Sequence, residues 1–267
     1  MKNGYKSVVL LVVLIIVLTG CKNEFEKVKL SNDPELMYTK ADEYFDDEQY
    51  ERAQVLYELA ITAYRGKKEA EELFYKYALS HFYLEQYILA AHYFKNFANT
   101  FINSDKREEA EYMAAYSNYK NSPSFRLDQE YTREAIEGFQ LYVNTYPLSE
   151  RVDQCNELID ELRSKLERKM FEQAKLYYDL EEYQSATQTF INVLQEYPES
   201  QNAEEIRYLI VKSAYRLARN SIYSKRKERY EDAIELGNRF KDRYPRSTYT
   251  REIQSMVSAS GEAIKSL

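Results

Sequence analysis

The chain has 267 residues, of which 44% are hydrophobic and 15% aromatic, so it can bury a sizeable core. It contains only 6 Gly and 5 Pro, and no long stretch alternates apolar and polar residues, which argues against an architecture of strands and turns. The net charge is −7, and this acidic balance argues against a general nucleic-acid-binding protein, which needs a basic face.

Residues 1–20 have the pattern of a bacterial lipoprotein signal peptide. Lys2 and Lys6 form a charged region, residues 8–18 are all apolar, and the tetrapeptide LTGC ends at Cys21. Eleven apolar residues are too few for a helix that spans a bilayer. The pattern predicts cleavage before Cys21 and lipidation of its thiol, so that lipid anchors the protein to a membrane. The alternative is an ordinary signal peptide followed by a chance cysteine.

Residues 21–32 are polar and charged, which predicts a tether between the lipid and the folded part of the chain. Asn32 or Asp33 is expected to cap the first helix, because Pro34 follows at a position that suits the first helical turn.

A pattern typical of helix–turn–helix pairs recurs after the tether. Its clearest copy, residues 171–200, reads Ala-x2-Tyr-x5-Tyr-x2-Ala-x3-Phe-x2-apolar and then Tyr-Pro. Small alanines let two antiparallel helices approach closely, and aromatic rings fill the seam between them. The pattern is similar to the tetratricopeptide (TPR) repeat. The second-helix alanines of the five copies are Ala53, Ala90, Ala135, Ala186 and Ala233.

These copies predict an all-α, TPR-like α-solenoid of about five helix pairs with a C-terminal capping helix. Residues 33–147 are expected to form repeats 1–3. Residues 148–267 are expected to form a long linking helix, repeats 4 and 5, and the cap. Two stretches interrupt the pattern and are predicted as insertions in repeats 3 and 5: the turn cluster 121–124 and the strongly basic stretch 223–229.

The linking helix is indicated by the absence of a helix breaker between Pro147 and about Asp179. At about 1.5 Å per residue, roughly 30 residues would extend for about 45 Å. A kink near Ser164 is the alternative. An apolar stripe at helical spacing runs through this stretch and consists of Val152, Cys155, Ile159, Leu162, Leu166, Met170, Ala174 and Tyr177.

No catalytic or metal-binding constellation is evident in the sequence. Cys155 lies in the apolar stripe and has no disulfide partner once Cys21 is acylated, so it is expected to be a core residue. His81 and His92 are eleven residues apart and are not accompanied by a cluster of further ligands. Neither a glycine-rich phosphate loop nor a serine elbow is present. The sequence therefore predicts a protein that is not an enzyme and needs no cofactor or metal.

The chain resembles the BamD family of outer-membrane lipoproteins in two features. One is the lipobox, the LTGC tetrapeptide at 18–21, and the other is the repeat ending Tyr-Pro-x-Ser at 146–149, 197–200 and 244–247. The stretch from Ala110 to Tyr183 adds to this resemblance, which covers nearly the whole chain after residue 20. The first two repeats depart from it, because they end in Tyr-Arg at 64–65 and Phe-Ile at 101–102, where the family usually has Tyr-Pro.

The resemblance implies a scaffold of the outer-membrane β-barrel assembly (BAM) complex, anchored by lipid to the outer membrane and facing the periplasm. Its implied partners are the POTRA region of a BamA-like barrel protein, bound largely by the C-terminal repeats, and unfolded outer-membrane proteins, received by the N-terminal repeats. Other TPR lipoproteins are secretin pilotins or scaffolds for cell-wall enzymes, and this second class stays open. Five irregular repeats with a long helix favour the first class.

Charge is unevenly distributed along the repeats. Residues 31–64 contain 9 acidic and 2 basic residues, whereas residues 201–247 contain 7 acidic and 12 basic residues. A cluster in the basic region is predicted to steer an acidic partner surface, and a merely solvated face is the alternative. The cluster consists of Arg216, Arg219, Lys225, Arg226, Lys227 and Arg229.

In a TPR superhelix, the first helix of each pair lines the concave side through repeat positions 5, 9, 12 and 13. In repeats 1–3, eight of these twelve positions are aromatic when Ala41, Ala78 and Ala115 are taken as position 8. Rigid rings suit the binding of an extended peptide that bears aromatic side chains. The competing interpretation is that packing buries them. The predicted groove residues are Tyr38, Phe45, Tyr75, Phe82, Tyr83, Tyr112, Tyr116 and Tyr119.

Overall fold

A computed structural model describes residues 24–267, so the predicted signal peptide and Cys21 lie outside the described residues. Within 24–267 all regular secondary structure is helical, and residues 24–29 are helical in front of the first long helix. None of the described helices has the length and apolarity to cross a bilayer. The helices are α1 Pro34–Asp46, α2 Tyr50–Ala60, α3 Ala70–Tyr83, α4 Tyr87–Thr100, α5 Arg107–Asn121, α6 Glu130–Thr145, α7 Val152–Asp179, α8 Tyr183–Glu196, α9 Ala203–Arg219, α10 Tyr223–Arg243 and α11 Thr250–Lys265.

The described chain forms two units. Unit 1 comprises the residues up to Pro123 together with Gln129–Ile159, and unit 2 comprises Ser124–Asp128 and Asp160–Leu267. Unit 1 thus contains α1–α6, and unit 2 contains α8–α11. Helix α7 is one continuous helix of 28 residues, and the division between the units falls within it.

Helices that follow one another pack against one another inside each unit. In unit 1 this holds for every successive pair from α1 to α6, and in unit 2 for α8 to α11, where α11 also contacts α9. The second-helix alanine of every repeat is buried, as the seam of a TPR-like pair requires. The all-α fold of five TPR-like helix pairs with a capping helix is therefore confirmed.

Three repeats use the same tight turn between their two helices. The second residue after the end of the first helix has a positive φ of 57–62°, and the next N–H donates to a carbonyl oxygen five residues earlier at 2.7–2.9 Å. This is the Schellman arrangement, which usually has glycine at the left-handed position. Here that position is occupied by Glu48, Glu85 and Glu181.

Repeats 3 and 5 connect their helices differently. Eight residues, 122–129, join α5 to α6, whereas α9 and α10 are separated by residues 220–222. The basic stretch 223–229, predicted as an insertion, forms the first two turns of α10 instead of a loop. Its lysine, arginine and glutamate side chains are good helix formers, which explains why the additional residues lengthen the helix.

The same turn closes all five repeats, although two of them lack proline. The N–H three residues after the last aromatic residue donates to the carbonyl of that residue at 3.0–3.2 Å. Proline at the second turn position favours this geometry but is not required for it. The aromatic residues that begin these turns are Tyr64, Phe101, Tyr146, Tyr197 and Tyr244.

A serine–glutamate clasp joins the end of a repeat to its beginning in repeats 2–4. The serine that ends the closing turn donates its hydroxyl to a glutamate seven residues before the first-helix alanine of the same repeat. The pairs are Ser104–Glu71 (2.5 Å), Ser149–Glu108 (2.6 Å) and Ser200–Glu167 (2.6 Å). In repeat 5 the residue seven before Ala214 is Arg207, which donates to the hydroxyl of Tyr244 at 3.3 Å.

The predicted helix cap and core residues are also in place. Asp33 caps α1, and its side chain accepts hydrogen bonds from the N–H groups of Glu35 and Leu36, both at 3.1 Å. In the apolar stripe of α7, Cys155, Ile159, Leu162 and Ala174 are buried. Burial raises the pKa of the Cys155 thiol to about 11, so the thiol stays protonated at neutral pH.

Candidate protein-binding surfaces

The predicted groove residues lie on α1, α3 and α5, the first helices of repeats 1–3. Six of them form one connected series of rings, here called the aromatic ladder. Neighbouring ring centroids in this series are 5.6–6.1 Å apart, which is within the range of favourable aromatic contacts. The aromatic ladder consists of Phe45, Tyr83, Phe82, Tyr116, Tyr112 and Tyr119.

Two members of the ladder connect neighbouring repeats. Tyr83 lies 6.1 Å from Phe45 of repeat 1, and Tyr116 lies 6.0 Å from Phe82 of repeat 2. Tyr83 is also the most exposed member, at 49%. It stacks on Tyr50, the first residue of α2, with centroids 4.5 Å apart and planes inclined by 22°. The sequence pattern assigned Tyr50 to the seam of repeat 1, so its part in this surface was missed.

Tyr38 and Tyr75 pack mainly inside their own repeats. Tyr75 lies edge-on to Phe94 and Phe97, with ring centroids 5.9 and 5.4 Å away. Tyr38 lies 5.1 Å from Tyr64, and burial raises the pKa of Tyr38 to about 12. Both rings are partly accessible, but their contacts are those of residues that hold a helix pair together.

Tyr112 is a core residue rather than a groove residue. Its side chain is 6% exposed, and the rings of Phe139 and Tyr142 lie 6.1 and 5.8 Å away. Burial raises the pKa of Tyr112 to about 12, and the Arg151 guanidinium lies 4.4 Å from its ring centroid. The prediction for Tyr112 is corrected accordingly: it supports Tyr116 by stacking, because the α5–α6 seam encloses it.

Charged groups are interleaved with the rings in repeats 1 and 2. Asp42 accepts hydrogen bonds from the Tyr57 hydroxyl at 2.6 Å and from Lys76 Nζ at 2.9 Å. The same ammonium group lies 5.4 Å from the centroid of Phe45. Lys76 was not predicted from the sequence, since it lies beside the groove positions of the repeat and its partner is 34 residues away.

The predicted basic cluster divides into structural and exposed residues. Arg226 Nε donates to the Ser221 carbonyl at 2.8 Å, and Arg229 donates to the Ser221 hydroxyl, so both hold the turn between α9 and α10. The four remaining side chains are exposed and define what we call the basic surface of unit 2. They are Arg216, Arg219, Lys225 and Lys227.

The helix dipole favours two of these four charges and disfavours the other two. Arg216 and Arg219 lie in the last turn of α9, where the helix dipole favours positive charge. Lys225 and Lys227 lie at the start of α10, which has no acidic residue in its first turn, and there the dipole disfavours them. Beside them, Ile222 and Tyr223 are each 67% exposed. The charge of the two lysines is therefore unfavourable at this end of α10, although lysine is a good helix former.

Comparison with known proteins identifies the family. The family model YfiO, described as "Outer membrane lipoprotein", matches residues 31–179 and 165–264. The chain belongs to the YfiO family of outer membrane lipoproteins. The resemblance to BamD is thereby confirmed, because this family is BamD-like. Both the aromatic ladder and the basic surface lie within the matched residues.

Among solved structures, the chain is similar to the TPR2AB domain of yeast Sti1 in a complex with pHSP90. The TM-score is 0.40 and the sequence identity 13%, over 85% of this chain and 98% of that one. No curated protein sequence matches the chain. The TPR-like assignment of this YfiO-family protein rests on its own helix pairs.

The two histidines occupy structural environments. His81 is buried, its Nδ1 lies 2.6 Å from Gln86 Oε1, and its ring stacks on Tyr93. Burial lowers the pKa of His81, which favours the neutral ring. His92 is exposed, with Nε2 2.8 Å from Asn96 Nδ2. Among residues 24–267, no group of three or more His, Cys, Asp or Glu side chains is arranged to hold a metal ion.

Proposed function

We propose that this YfiO-family lipoprotein is a scaffold of the BAM complex, anchored by lipid on the periplasmic face of the outer membrane. It receives unfolded outer-membrane proteins on the aromatic ladder of unit 1 and binds the POTRA region of a BamA-like protein through the basic surface of unit 2. The observation that carries the proposal is the position of Tyr83, which is half-exposed and contacts the ring of Phe45 in the preceding repeat. The match to a family of outer membrane lipoproteins supports it.

The ladder supports the binding of clients because its rings are already fixed by their neighbours. Tyr83 and Tyr50 hold each other by stacking, so little side-chain freedom is lost when a further ring docks on them. A peptide in extended form would meet aromatic faces contributed by repeats 1, 2 and 3 in turn. Each favourable ring pair contributes about 0.5–1.5 kcal/mol beyond the area that it buries.

The basic surface supports binding of a protein partner because two of its lysines lie at the N-terminus of a helix, where the helix dipole disfavours positive charge. Carboxylates of a partner would compensate the unfavourable interaction between the helix dipole and the charges of Lys225 and Lys227. Exposed Ile222 and Tyr223 lie beside them and offer apolar contact area. The BamD resemblance implies a POTRA region as the partner of the C-terminal repeats, and the basic surface would dock against an acidic part of it.

The client surface is tested with the two ladder residues that connect repeats. A labelled peptide that corresponds to the C-terminal strand of an outer-membrane protein and ends in phenylalanine is titrated into wild-type protein and into the Tyr83→Ser/Tyr116→Ser double variant. We expect binding to weaken at least tenfold, while the melting temperature falls by no more than about 5 °C. Tyr223→Ser, which removes an exposed ring from unit 2, is the matched control and should bind like wild type.

Unchanged affinity of the double variant would refute the client surface. A fall in melting temperature much larger than that of Tyr223→Ser would instead mean that these rings hold the fold. A second peptide, in which serine replaces every aromatic residue, should bind no variant.

The second candidate function, a secretin pilotin or a scaffold for cell-wall enzymes, is distinguished by the partner recovered. Affinity purification of the tagged lipoprotein from detergent-solubilised membranes should recover a large POTRA-barrel protein. Recovery of a secretin or a peptidoglycan enzyme, without a barrel protein, would favour the second function.

Lipidation is tested directly at Cys21. The Cys21→Ser variant should accumulate as an unprocessed or mislocalised protein and should fail to incorporate a fatty-acid analogue during metabolic labelling. Label in the Cys21→Ser protein equal to that in wild type would refute lipidation at this residue.

A further inference from the structure

A groove lies on unit 1 between α4 and α6, and α5 forms its floor. Its volume is about 640 Å³, within the range of roughly 300–1,000 Å³ that is typical of binding pockets. Helices α5 and α6 touch along the floor, since a Cβ on Gly138 would lie 2.8 Å from that of Ala115. Small residues from all three helices line the groove: Ala91 and Ala98 of α4, Ala114 and Ala115 of α5, and Gly138 of α6.

The walls of this groove combine apolar and acidic groups. Ile88 on α4 and Leu141 on α6 are 52% and 63% exposed, respectively. Four glutamates and one lysine, Lys95, are among the described residues that line the groove. Three of the glutamates follow one another on one face of α6, at the spacing of one residue per helical turn. They are Glu130, Glu134 and Glu137.

The repeat architecture alone does not create such a groove. In unit 2, the corresponding space between α8 and α10 has a volume of about 250 Å³. Counting three residues from the second-helix alanine of each repeat, Leu236 stands where unit 1 has Gly138. By the same register, Asp232 and Glu235 correspond to Glu134 and Glu137, and there Glu235 is paired with Arg239.

The walls of the groove suit a helical occupant. They are α-helices, whose backbone N–H and C=O groups are bonded internally, so the walls offer an occupant only side-chain contacts. A helix satisfies its own backbone and can place apolar side chains on the alanine floor. The acidic α6 wall requires that one flank of this helix be positively charged.

We propose that the groove binds an amphipathic α-helix of a partner protein, with lysine or arginine residues facing Glu134 and Glu137 at matching spacing. This site is separate from the aromatic ladder, although both use α5. The ladder uses Tyr116 and Tyr119, with Tyr112 buried beside them, and the groove uses a different face of α5 with Glu111, Ala114 and Asn118. A client peptide and a partner helix therefore do not compete for the same side chains.

The test uses full-length lipoprotein in detergent and two synthetic probes. One is a labelled 18-residue helix with leucines on one face and lysines along one flank, and the other is its twin with glutamates in place of the lysines. Wild type is expected to bind the lysine helix at least tenfold more tightly. Glu134→Lys/Glu137→Lys should reverse this preference, whereas Asp232→Lys/Glu235→Lys, which changes the net charge of the chain equally, should leave it unchanged.

Two further measurements complete the test. Leu141→Asp alters a wall residue that is mostly exposed, so the fold should survive and binding of the lysine helix should weaken at least fivefold. Equal binding of both probes to wild type, or the same loss in the Asp232→Lys/Glu235→Lys control, would overturn the proposal. Sedimentation equilibrium that showed wild-type self-association, abolished by Glu134→Lys/Glu137→Lys, would overturn it in favour of a second copy of this chain.

Discussion

Repeats 1–3 in unit 1 and repeat 4 in unit 2 use the same helix pair with different surface chemistry. Repeat positions 5 and 12 are aromatic in all four, and in repeat 4 they are Phe171 and Tyr178. These two rings pack within their own pair, 5.9 Å from Phe190 and 5.5 Å from Tyr183. At positions 9 and 13, repeat 4 has Lys175 and Asp179.

The comparison separates structural rings from rings available for binding. An aromatic residue at position 5 or 12 is explained by the seam of the pair, wherever in the chain it occurs. Tyr116 at position 9 and Tyr83 at position 13 are not explained in this way, because repeat 4 forms its pair with charged residues at both positions. Each of them contacts the position-12 ring of the preceding repeat, Tyr83 that of Phe45 and Tyr116 that of Phe82.

The largest expected effect distinguishes the two kinds of ring within unit 1. Tyr112→Ala removes a buried ring and should lower the free energy of unfolding by about 3–4 kcal/mol. Tyr83→Ala removes a half-exposed ring and should cost about 1 kcal/mol. Urea unfolding followed by circular dichroism measures both. Phe171→Ala in unit 2 removes a partly buried ring, so its loss should lie between those of the other two variants. A loss as small as that of Tyr83→Ala would contradict the comparison.

The next effect concerns the basic surface of unit 2. Lys225→Glu/Lys227→Glu should slow association with a purified POTRA protein about tenfold at low salt and flatten the salt dependence of the rate. The same change should raise the stability of α10 by about 0.3–1 kcal/mol, because acidic residues suit the start of a helix. Stopped-flow kinetics and thermal melting measure the two effects. Unchanged kinetics with raised stability would mean a solvated face without a partner.

The clasp of repeat 3 provides a pH-dependent effect of about 1 kcal/mol. Hydrogen bonds from Ser149 and Tyr142 lower the pKa of Glu108 below its ordinary value of 4.5. The carboxylate therefore stabilises the fold above that pH, and the contribution is lost as the pH falls through the lowered value. Glu108→Gln should be less stable than wild type at pH 7, and the difference should shrink as the pH falls below the ordinary pKa of 4.5.

Unit 2 contains the control for this pH effect. Arg207 replaces the clasp glutamate in repeat 5 and stays protonated throughout the acid range. Melting curves of Arg207→Gln should therefore differ from wild type by the same amount at pH 7 and pH 3. If the difference between Glu108→Gln and wild type did not shrink as the pH was lowered, the carboxylate would not be the source of the effect.

Much of the fold could be predicted because helix pairs leave local signals. The spacing of alanines and aromatic residues, the Asp33 cap and the stripe through Cys155 each involve residues close in sequence. The clasp could not be predicted in this way, since Ser149 and Glu108 are 41 residues apart and meet only after the pair has formed. The aromatic candidates were identified by register, but register alone does not tell buried Tyr112 from half-exposed Tyr83.

The tight turns of repeats 1, 2 and 4 were missed for another reason. Helix ends are recognised in sequences by glycine or asparagine, and here glutamate occupies the left-handed position. An L-residue with a side chain is strained in this conformation by about 1–2 kcal/mol. The neighbouring hydrogen bonds of the turn nevertheless impose the left-handed conformation, so no local sequence pattern predicts it.

The smallest expected effect follows from this strain and is a gain in stability. Glu85 has φ 57° and its side chain is exposed, so Glu85→Gly removes steric strain without removing a buried contact. Glycine also gives the unfolded chain more freedom, which offsets part of the gain. The net gain in the free energy of unfolding should be about 0.5 kcal/mol. Glu181→Gly should gain as much in unit 2, because the same turn recurs there at φ 62°.

Gly66 supplies a control of opposite sign in unit 1. It already occupies the left-handed region at φ 78°, and a Cβ placed there would have no heavy atom within 4 Å. Gly66→Ala should therefore lower the free energy of unfolding by about 1 kcal/mol through backbone strain alone. Chemical unfolding of all three variants measures the effects. A loss of stability in both glutamate variants would mean that these side chains make interactions that outweigh the strain of their turns.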